Sequence, residues 1–305
     1  MRILIHGQQA FGKAVLERLL DGPDDIAAVF CPPDIENRPI DPMKALACEA
    51  ALPVHQLKSW KTGEALALIS SFKADLCVMA YVTQLIPQAC LDVPALGSIQ
   101  YHPSLLPKHR GPSSINWPII QGETKTGLSI FWPDEGLDTG PVALQKEIEI
   151  GPDDTVGSIY FDKLFPLGVD AMIEATEMVR DRTAPRIEQD ESEATYESWC
   201  REENAEIDWS QPARQLHCLI RGTDPQPGAW TTVGGNKLKL YGSRIADVEG
   251  EAGTITNVSK AGITVAAGDG SILVTKVRAH DDRAKVDAGE YAEHAGLGTA
   301  TRLGD

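Results

Sequence analysis

No stretch of this 305-residue chain approaches the ~18 consecutive apolar residues of a membrane-spanning helix. Arg2-Ile3-Leu4-Ile5-His6 is too short and too polar for the core of a signal peptide. The expectation is therefore a soluble, cytoplasmic protein with no membrane partner. The six cysteines, Cys31, Cys48, Cys77, Cys90, Cys200 and Cys218, form no C-x-x-C pair and have no histidine at metal-ligand spacing, which predicts reduced, mostly buried thiols and no metal. Positive charge is scarce: 28 Lys+Arg face 44 Asp+Glu, a net −16. So acidic a chain repels phosphate backbones unless its basic residues cluster on one face, and nucleic acid is a disfavoured partner. The glycine loop Gly7-Gln-Gln-Ala-Phe-Gly12 lacks the middle glycine of a dinucleotide fingerprint and the Lys-Ser/Thr of a P-loop. These glycines read as a tight strand-to-helix turn, which leaves a nicotinamide oxidoreductase with little support.

What is present is ordinary globular composition, 42% hydrophobic and 24% charged, in a chain long enough for two cores. Short apolar runs at Ile3–Ile5, Ile26–Cys31, Ala74–Ala80 and Gly97–Gln100 alternate with helical spacing after Gly12, over Met43–Ala51 and over Gly63–Phe72. Gln84–Ala89 also reads as helical. This alternation predicts an α/β fold, a Rossmann-like, mostly parallel sheet with helices on both faces. Further strands are expected over Thr126–Trp132 and Pro141–Ile148, then one long helix from Thr155 to Arg180. Gln189–Glu193 reads as an acidic linker. Downstream, one helix near Ala213–Ile220 and short strands broken by glycine from Ala229 to Val277 predict a smaller C-terminal β-barrel. Past Arg278 the tail is polar, with little to anchor it. The division expected is 1–200 for a catalytic domain and 201–305 for the barrel.

The densest polar segment, Gln100 to Trp117, leaves the carboxyl end of a strand, where open α/β sheets place their ligands. Its prolines and Gly111 fix an irregular loop, and His102 is the first histidine out of the strand. A second loop, Asp134-Glu-Gly-Leu-Asp138-Thr-Gly140, lies between two expected strands. A carboxylate from Asp138 brought against His102 would orient the imidazole and hold a water. Only folding can bring the two together.

At these residues the sequence resembles the folate-dependent formyltransferase family. The words that carry the resemblance are His102-Pro-Ser-Leu-Leu-Pro107 with Arg110-Gly111, then Gly136-Leu-Asp-Thr-Gly140. Ile207-Asp-Trp-Ser-Gln-Pro-Ala213 and Pro227-Gly-Ala-Trp230 are similar to the C-terminal domain of two-domain members. Within the family the likeness is greatest to the hydrolase domain of 10-formyltetrahydrofolate dehydrogenase, through Tyr101-His-Pro-Ser-Leu-Leu-Pro107 and Ser114-Ile-Asn-Trp117. A likeness to methionyl-tRNA formyltransferase accompanies it. The resemblance implies 10-formyltetrahydrofolate as formyl donor, no metal, and His102 with Asp138 as the catalytic pair. It implies folate contacts from Met79, Ala80, Tyr81, Gln84, Leu85 and Ile86, and from Asp134, Gly136, Leu137 and Gly140. Most transferases of the family carry Asn two residues before the histidine; here that position is Gln100, a third candidate in the reaction. Its extra methylene displaces the amide by about one bond length, and because the dehydrogenase-like domains also lack Asn there, the resemblance implies that Gln100 fits hydrolysis better than transfer.

The acceptor is then water, an amine such as an amino sugar, or charged tRNA as runner-up. Residues 201–305 hold 12 Lys+Arg against 15 Asp+Glu, a net −3, and the loop Pro33–Pro39 has one arginine against two acids. Neither is the basic surface that tRNA requires. A folate-binding module without catalysis is the alternative of a different class. Near the site, Arg110 with Lys108 is the one expected cationic pair for a polyglutamate tail, and His109 is open between a ligand contact and a solvated role. The oligomeric state is left open.

Overall fold

The computed structural model describes residues 1–280 and 282–305. In chain order the elements to residue 180 are β1 (Arg2–Gly7), α1 (Gln9–Leu20), β2 (Asp25–Phe30), α2 (Pro42–Glu49), β3 (Val54–His55), α3 (Gly63–Ser71), β4 (Leu76–Ala80), α4 (Gln88–Leu91), β5 (Ser98–His102), α5 (Asn116–Ile120), β6 (Lys125–Phe131), β7 (Val142–Glu149), α6 (Val156–Ser158) and α7 (Phe165–Arg180). Then follow α8 (Ala213–Gly222), β8 (Ala229–Val233), β9 (Asn236–Ala246), β10 (Ile255–Ser259), β11 (Gly262–Ala266), β12 (Ser271–Ala279), β13 (Val286–Asp287) and α9 (Ala288–Ala295). The chain forms two compact units, each from three segments: Met1–Gly111, Gly127–Ile148 and Lys163–Tyr196 in the first, Pro112–Thr126, Glu149–Asp162 and Glu197–Asp305 in the second.

The first unit is built on a seven-stranded sheet in the order β3-β2-β1-β4-β5-β6-β7. The β1/β2, β1/β4, β2/β3 and β4/β5 pairs are parallel. Strands β1, β2 and β4 are near-continuous apolar runs, with Ile3, Ile5, Ala28, Val29, Leu76 and Val78 wholly buried, as parallel strands covered on both faces must be. The β5/β6 pair is antiparallel, with Gln100 opposite Phe131 and His102 opposite Ser129. Strand order reverses between β1 and β4, and the registers Gly7↔Ala80 and Met79↔Gln100 align the carboxyl ends of β1, β4 and β5 along one edge. Gly7 permits the closest approach there, since a Cβ would stand 2.3 Å from the Ala80 carbonyl oxygen. The Gln9 N–H, at the start of α1, is taken by the Asp41 carboxylate at 2.8 Å. A carboxylate therefore holds the position a dinucleotide phosphate would need.

In the second unit, six antiparallel strands form a barrel-like sheet, β10-β11-β12-β9-β8 with β13 on β12. It encloses Trp209, Leu216, Ile220, Leu240, Ile263 and Val274. The stretches 112–126 and 149–162 belong to this unit, a difference from a division at residue 200. Polar bonds hold them: Asn116 Nδ2 donates to the Gly222 oxygen at 2.8 Å, His217 Nε2 to that of Pro152 at 2.9 Å, and Arg221 Nη1 to that of Asp154 at 2.7 Å.

Three expectations are corrected. The tail past Arg278 is anchored: β13 and α9 follow, Ala288, Ala292 and Leu303 enter the core, and Gly304 N donates to the Thr232 oxygen while Leu303 N donates to that of Gly253. The single helix over 155–180 is interrupted by a π-helical stretch, Ile159–Leu164, ahead of Pro166, which lacks the N–H an uninterrupted α register requires. The helical reading of Gln84–Ala89 moves to Gln88–Leu91, leaving Gln84 in a loop. Among the described residues no helix is long and apolar enough to cross a membrane, and no three His, Cys, Asp or Glu side chains are grouped to hold a metal.

Candidate active site

Strand β5 sets the site by alternation. Gln100 and His102 project from one face, and Tyr101, between them, faces the other way and stacks on Phe11 with centroids 4.4 Å apart. His102 is 5% exposed. Its Nε2 lies 2.9 Å from the His109 carbonyl oxygen, which accepts only, so Nε2 carries the proton and Nδ1 turns to Asp138. The Asp138 Oδ2 stands 3.5 Å from Nδ1, longer than a strong hydrogen bond. The same Oδ2 accepts the Gly111 N–H at 2.9 Å. Asp138 is 6% exposed and sits at φ +59°, a left-handed conformation unusual for a residue with a side chain.

The loop before Asp138 is closed by its own polar groups. Asp134 Oδ1 accepts from Gly136 N at 3.0 Å and from Thr139 Oγ1 at 2.6 Å. Gly140 is required by packing, because a Cβ would meet the Trp132 carbonyl oxygen at 1.8 Å. Leu137 is left exposed at the rim.

On the neighbouring strand Met79 and Ala80 are buried in β4. Tyr81 leaves it at φ +65°, and Leu85 is 72% exposed. The Gln84 side chain is held within the protein: its Oε1 accepts from Trp60 Nε1 at 2.9 Å, its Nε2 reaches the Leu57 oxygen at 3.4 Å, and it bonds His6. Ile86 packs against the cluster around Phe30 and Trp60. Direct contact therefore joins His102 to Asp138, while Tyr81 and Leu85 stand exposed beyond the end of the adjacent strand.

Two site residues lie otherwise than expected. Arg110 is buried and chelates Glu191, Nη1 to Oε2 at 3.0 Å and Nη2 to Oε1 at 2.6 Å, so it does not join Lys108 as a free cationic pair. The ion pair raises the Arg110 pKa and holds the Glu191 carboxyl below its usual range. His109 is buried at φ +55°. The supposed linker at Gln189–Glu193 is instead packed on the site, with Gln189 Nε2 donating to the carbonyl oxygens of Asp138 and Gly140. Gln189 was not legible as a site residue, because its partners are backbone carbonyls that leave no mark in sequence.

A formyl transferase family model matches residues 1–176, and a model for the formyl transferase C-terminal domain matches 200–295. Cytosolic 10-formyltetrahydrofolate dehydrogenase of Xenopus tropicalis is 39% identical over 310 residues, covering 97% of this chain and 34% of the relative. The chain thus spans about a third of that protein's length. Methionyl-tRNA formyltransferase of Trichlorobacter lovleyi is 36% identical over 307 residues, covering 99% of this chain and 96% of the relative. Among solved structures, HypX of Aquifex aeolicus in complex with tetrahydrofolic acid shares the fold, with TM-score 0.69 at 19% identity over 98% of this chain and 48% of that one. The family model accounts for more than half of the residues, His102 and Asp138 among them, and the chain belongs to the folate-dependent formyl transferase family.

Proposed function

We propose that the protein hydrolyses 10-formyltetrahydrofolate to tetrahydrofolate and formate in the cytoplasm, with His102, Asp138 and Gln100 at the reacting formyl group. The observation that carries this reading is the buried His102–Asp138 pair, ordered from both sides by backbone groups of the 109–111 loop. A water held by Asp138 attacks the formyl carbon and gives its proton through the carboxylate to Nδ1 of His102, the ring nitrogen that lacks one. The tetrahedral oxyanion draws a hydrogen bond from the Nδ1–H so formed on His102, and one such donor stabilises a transition state by ~3–4 kcal/mol. Collapse breaks the bond to N10, which takes up that same proton from His102, and the formic acid that leaves ionises to formate. Folate contacts are assigned to Met79, Ala80, Tyr81, Gln84, Leu85 and Ile86 and to Asp134, Gly136, Leu137 and Gly140. The buried members act through backbone or packing, Tyr81, Leu85 and Leu137 through exposed apolar surface.

Gln100 favours water over an amine as acceptor. Transfer to an amine is the second reading, favoured by the match to methionyl-tRNA formyltransferase over 96% of its length. Purified protein given 10-formyltetrahydrofolate alone should release formate above a no-enzyme control, and His102→Ala should lower the release by about 10²–10³. Turnover that begins only when an amino sugar or charged tRNA is added replaces hydrolysis with transfer. Folate binding without turnover under any acceptor, unchanged in His102→Ala, makes the protein a binding module.

A further inference from the structure

We propose that Gln189 is a positioning residue for Asp138, and that Ile187–Tyr196 is a strap that fixes the two catalytic loops against each other. The Gln189 amide uses all of its hydrogen-bonding capacity. Its Nε2 donates to the Asp138 oxygen at 2.9 Å and to the Gly140 oxygen at 2.7 Å. Its Oε1 accepts from Arg110 Nε at 3.1 Å and Nη2 at 2.8 Å. Arg110 precedes Gly111, whose N–H holds the Asp138 carboxylate. One side chain therefore grips the backbone of the catalytic aspartate and, through Arg110, the segment that orients its carboxylate.

The rest of the strap repeats the pattern. Val142 and Ile187 exchange backbone hydrogen bonds at 2.8 and 3.0 Å, beside the loop that carries Asp138. Thr195 accepts from Arg110 N through its carbonyl oxygen at 3.1 Å and from His109 N through Oγ1 at 2.8 Å, and its own N–H donates to the Pro107 oxygen. His109 in turn supplies the carbonyl that fixes His102. The left-handed backbone at Asp138 costs free energy that surrounding bonds must offset, and the Gln189 amide bonds that peptide carbonyl directly.

This rests on the reading that Asp138 acts in formyl release or transfer. The test is steady-state kinetics on the full chain with 10-formyltetrahydrofolate, for the parent, Gln189→Glu and Gln189→Ala, with thermal unfolding of each. Gln189→Glu keeps the acceptor for Arg110 and sets a carboxylate against two carbonyl oxygens. The expected result is a kcat lower by about 10- to 100-fold, as a displacement of about 1 Å produces, with KM within threefold and unfolding cooperative. A folded variant whose kcat stays within twofold of the parent overturns the proposal, as does a loss that only tracks the unfolded fraction. If both substitutions prevent folding, Arg110→Lys breaks the bidentate link from its other end and should show the same split between kcat and KM; unchanged kcat there overturns the proposal equally. An active parent with unaffected variants refutes the strap alone, whereas a parent inactive with water and every amine removes the underlying reading and the strap with it.

Discussion

At the scale of single residues, His102 is useful because three backbone facts coincide on it: β5 ends there, the His109 carbonyl fixes one ring nitrogen, and the Gly111 N–H fixes the carboxylate facing the other. Replacing His102 by Ala should lower kcat/KM by about 10²–10³, the effect of losing one oxyanion donor, while tetrahydrofolate binding, followed by intrinsic fluorescence, stays within a few-fold. A binding loss of the same size would move His102 from the reaction to the folate site. Gln100 makes a different prediction. Gln100→Asn shortens the amide by one methylene and should raise the ratio of formyl transfer to hydrolysis when an amine acceptor is present, measured as formylated product over formate. A ratio that does not move removes Gln100 as the determinant of acceptor. His102 and Asp138 were legible as candidates from polar loops placed where an α/β sheet presents its ligands, whereas Gln100 entered only through the resemblance to the family. The anchors of that pair were not legible, since Gly111 and His109 act through main-chain groups that every residue possesses.

At the scale of elements, the parallel strands were legible because Ile3–Ile5 and Ala28–Phe30 are apolar without alternation, the mark of burial on both faces. The antiparallel turn of β6 was not, because an apolar run carries no direction. Polar composition misled twice, at the strap and at the tail, where few but well-placed contacts outweigh it. Leu303 shows the point: it is 3% exposed, and residues 300–304 bond both the entry to β10 and strand β8, through Ile255, Gly253 and Thr232. Leu303→Ala should therefore destabilise the barrel-like unit by about 2–5 kcal/mol, read from urea unfolding monitored at its tryptophans. A change below about 0.5 kcal/mol, typical of exposed positions, would mean that the tail does not hold the sheet.

At the scale of the whole molecule, charge bears on stability and on the acceptor proposed. Burial holds His6 neutral, with its pKa lowered from the usual 6.5 to about 3, the bond from Gln84 opposing part of the shift. His217 is lowered as well, again by burial first. Between those two values for His6 the unfolded chain binds a proton that the folded chain refuses. Its stabilising contribution is thus intact above pH 6.5 and declines as pH falls toward 3, by up to about 1.4 kcal/mol per pH unit. His6→Phe should flatten the loss of stability between pH 7 and pH 5 in urea unfolding; an unchanged slope would assign the pH dependence elsewhere. The net charge of −16 bears on the acceptor, because it disfavours tRNA and leaves water with no electrostatic obstacle. The most direct measurement is turnover of 10-formyltetrahydrofolate in ¹⁸O-enriched water, without any amine, with mass analysis of the formate. One ¹⁸O atom per formate, with the release lower by about 10²–10³ in His102→Ala, is the outcome predicted for water as acceptor. No formate above the uncatalysed rate, with formyl recovered only on an added amine, would contradict it.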